Sequence, residues 1–211
     1  MSYLAFVRHG LSQANIDNIT AGHLDTPLHD IGRDQARQTA ELIKHLRFQK
    51  AVGSPLKRAK ETLGLILDEL ENPVTPTFHK ELRERNWGDV DGTIFKSRAN
   101  GKYTLEEEKN WFTWTGKADG GESYEDIHNR IVPFFEQHVL PVLKAGGNVL
   151  MVGHNGMSKP LQRYLEDLPY EFTTDLDLKN CEIKLYEFDE SGSLKGVSSL
   201  HAGGQSSAPE K

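Results

Sequence analysis

The feature that most constrains this chain is a pair of short apolar runs that each stop at a histidine. Tyr3-Leu4-Ala5-Phe6-Val7 ends at Arg8-His9-Gly10, and Val149-Leu150-Met151-Val152-Gly153 ends at His154. Runs of this length, rich in β-branched or aromatic residues and abruptly bounded, are predicted to be buried strands that deliver their C-termini to loops. Elsewhere apolar residues recur at helical spacing. Ala36, Ala40, Ile43 and Leu46 mark a helix over 33–47. Ala59, Leu63, Ile66, Leu67 and Leu70 mark a second, with Ser54 as its N-cap and Pro55 at its first position. Ile127, Ile131, Phe134, Phe135, Val139 and Val142 mark a long one over 122–144 that Pro133 and Pro141 kink or divide. A weaker strand is predicted over 49–53, an extended piece over 74–78 and a helix over 105–114. A helix from His154 to about Leu168, a strand over 181–188 and a polar edge piece over 194–200 complete the chain. Strands alternating with helices predict an α/β three-layer sandwich with a mostly parallel central sheet flanked by helices.

The 211 residues suit one catalytic domain over 1–201, with 92–120, rich in Gly and charge, as a cap segment and 202–211 as a mobile tail. Hydrophobic residues at 36% and charged residues at 27% argue against a membrane protein and a disordered chain. The apolar run before Arg8, Tyr3 to Val7, is only five residues long, too short for a signal-peptide core, so a cytoplasmic location is expected. A net charge of −6 opposes nonspecific attraction to nucleic acid and to acidic membranes, leaving a small molecule as the expected partner. Self-association into a homo-oligomer is left open. The single Cys181 excludes an internal disulfide and a Cys-rich zinc site, and its apolar surroundings read as a structural thiol.

In open α/β sheets ligands bind beyond the carboxyl ends of the strands. His9, His154 and the Ser54-Pro55-Leu56-Lys57-Arg58 segment therefore converge on one predicted pocket. Arg8 and Arg58 bring planar guanidinium forks and the helix start at Ser54 brings free N–H groups, which together suit a phosphate. Each cation about 4 Å from a phosphoryl group is worth roughly 4 kcal/mol at an effective dielectric near 20, before desolvation. The positive surroundings disfavour imidazolium, so a neutral His9 keeps a lone pair for attack on phosphorus. His154 and the arginines would stabilise the equatorial oxygens. Glu81 and Glu84, in Glu81-Leu82-Arg83-Glu84-Arg85-Asn86-Trp87-Gly88, are candidates for the proton shuttle.

Arg8-His9-Gly10-Leu11-Ser12-Gln13-Ala14-Asn15, Ser54-Pro55-Leu56-Lys57-Arg58-Ala59, Leu82-Arg83-Glu84-Arg85-Asn86-Trp87-Gly88, Gly121-Glu122-Ser123 and Val152-Gly153-His154 together resemble the histidine phosphatase superfamily, in its cofactor-dependent phosphoglycerate mutase branch. Arg-His-Gly alone arises by chance in on the order of one chain of this size in a hundred. Five motifs in family order, spread over about residues 3–188, are far stronger. The resemblance implies a mostly parallel sheet flanked by helices, a phosphohistidine at His9 and a phosphate pocket of Arg8, Asn15, Arg58 and His154. It also implies proton donation by Glu84 and substrate contacts near Ser12, Ala21, Gly22, Arg85, Trp87 and Asn155.

Departures from the mutase pattern shift the expected activity. Leu11 stands where mutases carry Glu, and Asn155-Gly156 reverses their order. Phe112 and Thr113 stand where the resemblance implies two arginines, and Phe95, beside Lys96, where it implies a lysine. Each lost charged hydrogen bond costs about 1.5–3 kcal/mol, which weakens the grip on a second anionic group. A phosphatase for small phosphomonoesters, needing no metal and no cofactor, is the expected activity. The rivals are a 2,3-bisphosphoglycerate-dependent phosphoglycerate mutase, for which that compound is the cofactor, and a non-catalytic binding protein that keeps the fold. The seven remaining histidines show no zinc-type spacing, and Trp111, Phe112 and Trp114 read as a cap or core.

Overall fold

The computed structural model describes residues 1–94 and 103–202. Six strands form one sheet in the order β3-β2-β4-β1-β5-β6. These are β1 (Ser2–Arg8), β2 (Phe48–Gly53), β3 (Thr77–Phe78), β4 (Asn148–Gly153), β5 (Ile183–Phe188) and β6 (Leu194–Leu200). The pairs β1–β4, β2–β4 and β2–β3 are parallel, whereas β5 runs antiparallel to both β1 and β6. The mostly parallel sheet expected from the sequence is therefore present. The Asp189–Ser193 turn joins β5 to β6 directly as a hairpin, Asp189 N–H donating to the Ser193 carbonyl at 3.0 Å.

Period-two alternation in the central strands divides the core. Leu4 and Phe6 of β1 and Val149 and Met151 of β4 face one layer, with Ile127, Ile131, Phe134 and Leu161. Ala5 and Val7, with Leu150 and Val152, face the other, among Ala36, Ala40, Ile43, Leu63 and Ile66. The helices on the second face are α2 (Asp30–Ile43) and α3 (Lys57–Asp68), after the single-turn α1 (Gln13–Ile16). The first face carries α5 (Tyr124–Phe134), α6 (Leu140–Lys144) and α7 (Asn155–Leu165), after the short α4 (Leu105–Asn110). Strands buried on both faces read as unbroken apolar runs, which is why β1 and β4 stand out in the sequence.

The long helix expected over 122–144 is two α-helices joined by a π-helical stretch, Phe135–Val139. Pro141 has no N–H to donate, and the Leu140 N–H reaches back to the Phe135 carbonyl instead. The helix expected to start at Ser54 begins at Lys57, with Leu56 as N-cap and no side-chain cap, and the helix expected over 105–114 stops at Asn110. Gly10 and Gly32 bring β1's exit loop against α2. A Cβ on Gly10 would lie 2.4 Å from the Gly32 carbonyl oxygen, so this approach of two backbones admits no side chain. Within the expected cap segment, residues 95–102 lie outside the described residues, and with them Phe95 and Lys96. The expected tail lies outside as well, apart from Ala202. Among the described residues no helix is long and apolar enough to cross a membrane.

Candidate active site

Adjacent parallel pairing of β1 and β4, Arg8 opposite Gly153, brings the residue after each strand to the same point on the sheet rim. The His9 N–H donates to the Gly153 carbonyl at 3.0 Å. The His9 and His154 rings then meet edge to face with centroids 5.0 Å apart, both buried. His9 Nδ1 lies 2.7 Å from the Gly10 carbonyl oxygen. A carbonyl only accepts, so Nδ1 carries the hydrogen and Nε2 keeps its lone pair. Burial, followed by the charges of Arg58 and Arg8, holds the His9 pKa well below 6.5. Burial, followed by Arg58 and His9, does the same for His154. Both imidazoles are neutral near pH 7.

Ser54, missed as a site residue because Ser-Pro reads as a helix start, anchors the second histidine. Its Oγ is 2.8 Å from His154 Nε2 and accepts the Leu56 N–H at 3.3 Å. The Arg58 guanidinium donates through Nη1 to the Leu24 carbonyl at 2.7 Å and through Nη2 to the Gly22 carbonyl at 2.8 Å. Arg8 donates through Nη1 to the Leu178 carbonyl. Three nitrogens at this site are buried without a hydrogen-bond partner among the described residues: Arg8 Nε, Arg58 Nε and His154 Nδ1. Native interiors rarely leave such donors unpaired. Gly22 has φ +40°, and a Cβ there would lie 1.8 Å from Asp91 Oδ1. The loop that holds Arg58 thus requires glycine.

Glu84 faces the same cavity from the 3₁₀ turn and loop before Trp87. Its Oε1 accepts the Arg85 and Met157 N–H groups at 2.7 and 2.9 Å, and its Oε2 accepts the Gly156 N–H at 3.2 Å. The carboxyl therefore sits on the first turn of α7, accepting N–H groups that have no partner within the helix. His23 Nε2 donates to the Glu84 carbonyl at 2.9 Å, tying the Gly22 loop to this segment. Ser12 caps α1, and the Asn15 Oδ1 accepts both the Ser12 hydroxyl at 2.9 Å and the Asn180 amide at 3.3 Å. Asn180 also donates to the His9 carbonyl at 3.0 Å.

A cavity of about 980 Å³ opens here; His9, Arg8, Arg58, Glu84, Ser12, Asn15, Ala21, Gly22, Trp87 and Asn155 all line it, whereas His154 is fully buried behind His9 and does not. Arg85 differs from expectation. Its side chain does not line the cavity but is fully buried, donating to the carbonyls of Glu122 at 2.7 Å, Trp111 at 2.7 Å and Gly116 at 3.0 Å. Its guanidinium lies 4.2 Å from the Trp87 ring centroid and 4.5 Å from that of Tyr124. Sequence reasoning also missed Tyr124, Lys159 and Asn180, which line the cavity too. Lys159 was detectable, since it follows Asn155 by four positions and shares its helical face. Phe112 lines the cavity, whereas Trp111 is buried core and the Thr113 hydroxyl donates to the Asn110 carbonyl at 2.8 Å. Among the described residues no cluster of three His, Cys, Asp or Glu side chains could hold a metal ion. Burial pushes the Cys181 thiol up to about 12, which fits a structural residue.

The family model for the histidine phosphatase superfamily (branch 1) matches residues 4–197. A 2,3-bisphosphoglycerate-dependent phosphoglycerate mutase of Cytophaga hutchinsonii is 33% identical over 199 residues, covering 94% of this chain and 93% of the relative. A second enzyme of that name, from Gloeobacter violaceus, is 33% identical over 93% of this chain and 90% of its own length. Among solved structures, a mycobacterial glucosyl-3-phosphoglycerate phosphatase in complex with VO3 superposes with a TM-score of 0.82 at 24% identity, covering 95% of this chain and 99% of that one. That likeness is one of fold.

Proposed function

The chain belongs to the histidine phosphatase superfamily, and from that membership we propose that it is a phosphotransfer enzyme working through a phosphohistidine at His9, with phosphatase activity on small phosphomonoesters. One observation carries the proposal. The Gly10 carbonyl holds the hydrogen of His9 on Nδ1, so a neutral Nε2 with its lone pair stands beside Arg8 and Arg58. In the first step Nε2 attacks phosphorus, the P–N bond forms, and the bond from phosphorus to the leaving oxygen breaks. Glu84 supplies the proton that the leaving oxygen takes. Its Oε2, which among the described residues accepts the Gly156 N–H alone, at 3.2 Å, has a lone pair available to carry that proton. In the second step water attacks phosphorus, its proton returns to Glu84, and the P–N bond breaks. The transferring oxygens would take the Nε hydrogens of Arg8 and Arg58 and a hydrogen on His154 Nδ1, the three nitrogens that otherwise lack partners. The chemistry calls on no metal and no added cofactor.

The curated relatives' names favour a second reading, a mutase with 2,3-bisphosphoglycerate as cofactor. Phe112 in the cavity wall weighs against it, because the wall there offers an aromatic ring in place of a cation. Mixing purified protein with labelled phosphomonoester and quenching in alkali should trap an alkali-stable, acid-labile phosphoryl group that His9→Ala cannot form. With 3-phosphoglycerate, phosphate release should outpace isomerisation whether or not 2,3-bisphosphoglycerate is present. Isomerisation faster than release, and dependent on that compound, would establish the mutase instead. No trapped phosphoryl group, and no difference between wild type and His9→Ala, would leave only the non-catalytic reading.

A further inference from the structure

We propose that the alcohol part of the substrate carries an aromatic ring, which packs into a corner formed by Trp87 and Phe112. This rests on the phosphatase reading of the site and names its substrate class. The cavity, at about 980 Å³, lies at the upper end of the roughly 300–1,000 Å³ that drug-sized ligands fill, far more than a phosphoryl group needs. Trp87 and Phe112 both line it, their ring centroids 5.7 Å apart and their planes at 54°. Both rings thus present aromatic surface to the cavity, and an aromatic group of the substrate gains from tilted or edge-to-face contact with such rings. Ile19 and Ala21 add apolar surface to the same cavity.

The corner is built to be stiff. The Arg85 guanidinium lies 4.2 and 4.5 Å from the Trp87 and Tyr124 ring centroids, and two of its carbonyl partners, Trp111 and Gly116, bracket the segment that carries Phe112. Behind it, Trp111, Val90 and Ala118 form a small buried cluster against which Trp87 and Phe112 pack. A wall that is ordered before the ligand arrives loses little freedom on binding, which favours tight recognition of one shape. Lys159, also in the wall, is paired with Asp177 at 2.9 Å and donates to the Thr174 carbonyl.

Benzyl phosphate and glycerol 3-phosphate test the proposal, because both release an alkyl alcohol and differ mainly in the ring. Benzylphosphonate and methylphosphonate, which cannot turn over, test binding alone by calorimetry. The expected result is a kcat/KM for benzyl phosphate about 10- to 200-fold above that for glycerol 3-phosphate, the range one apolar subsite commands. Benzylphosphonate should bind at least about tenfold more tightly than methylphosphonate, and Phe112→Leu and Phe112→Ala should erode both ratios in that order. Turnover of both esters at similar kcat/KM, with both phosphonates bound alike, overturns the aromatic corner and leaves the phosphatase reading standing. Selective benzylphosphonate binding without any turnover supports the corner and sinks the phosphatase reading. Variants that fold yet keep the wild-type ratios also overturn it, and the wild-type ratios decide alone should neither variant fold.

Discussion

Ser54→Ala removes one buried hydroxyl and should lower turnover as well as stability. In the fold Ser54 is fully buried, 2.8 Å from His154 Nε2, and it accepts the Leu56 N–H at 3.3 Å. Alanine leaves both groups without a partner. Each buried unsatisfied group costs about 1–3 kcal/mol, and the longer Leu56 contact belongs at the low end, giving about 2–4 kcal/mol in all. For a chain of this size each kcal/mol shifts Tm by about 2–4 °C, so thermal unfolding should fall by about 5–15 °C. The kinetic consequence is separate. Ser54 fixes the rotation of the His154 ring and, through it, which edge carries the hydrogen. A misaligned donor to a phosphoryl transition state costs up to about 10²–10³ in rate, and a ring still confined by packing should lose about 10- to 100-fold in kcat. KM should move less than about threefold, because the ester's ground state would be held by Arg8 and Arg58. Steady-state kinetics on any hydrolysed phosphomonoester, well below the variant's Tm, reads both numbers. A variant that unfolds earlier yet keeps wild-type kcat would refute the reasoning, since Ser54 would then be only a structural residue.

Acid should destabilise the protein below about pH 6.5: His9 and His154 resist protonation in the fold, whereas an unfolded chain takes those protons near 6.5. The unfolded state then binds more protons as pH falls, each histidine contributing up to about 1.4 kcal/mol per pH unit, to be measured by urea unfolding across that range. For the same reason kcat/KM should show no acid limb near pH 6.5, and such a limb would mean that His9 titrates as an ordinary exposed imidazole. Asp91 works in the opposite direction. Burial raises its carboxyl pKa to about 6, so its charged form costs stability as pH rises from 3.8 through 6. Asp91→Asn should therefore raise Tm relative to wild type above pH 6 and lose that advantage below 3.8, and an equal shift at both extremes would disprove the cause. Arg85→Lys cannot span three carbonyls with one ammonium group, and should cost about 2–4 kcal/mol. It should also speed amide exchange over Trp111–Gly116; unchanged exchange would show that Arg85 does not hold that segment.

Much of the sheet was legible because burial on both faces leaves a plain signature. β1 and β4 are unbroken apolar runs, and the helices over them carry 3.6-residue spacing. The antiparallel β5 was not legible in direction, because a strand's composition reports burial and says nothing of which way it runs between neighbours. The division of 122–144 followed from Pro133 and Pro141, yet its π-helical form depends on which carbonyl the Leu140 N–H finds once the helix is packed. For the site, His9, Arg8, Arg58 and Glu84 line one cavity, with His154 buried against the His9 ring, because three strands and two loops end together there, and their residue types announce the chemistry.

Arg85 and Ser54 were misread for one common reason. A polar residue beside a motif can face the ligand or hold up the groups that do, and spacing along the chain does not separate the two. Arg85 stands next to Glu84, but three carbonyls from residues 26 to 37 positions away take hydrogen bonds from its Nε and Nη2. Ser54 precedes a proline, a good helix start, but a histidine one hundred positions away claims its hydroxyl. Both decisions are made by partners that only the folded sheet brings near. Such support residues should therefore reveal themselves kinetically, by kcat and stability falling together while KM holds, where a ligand contact would raise KM.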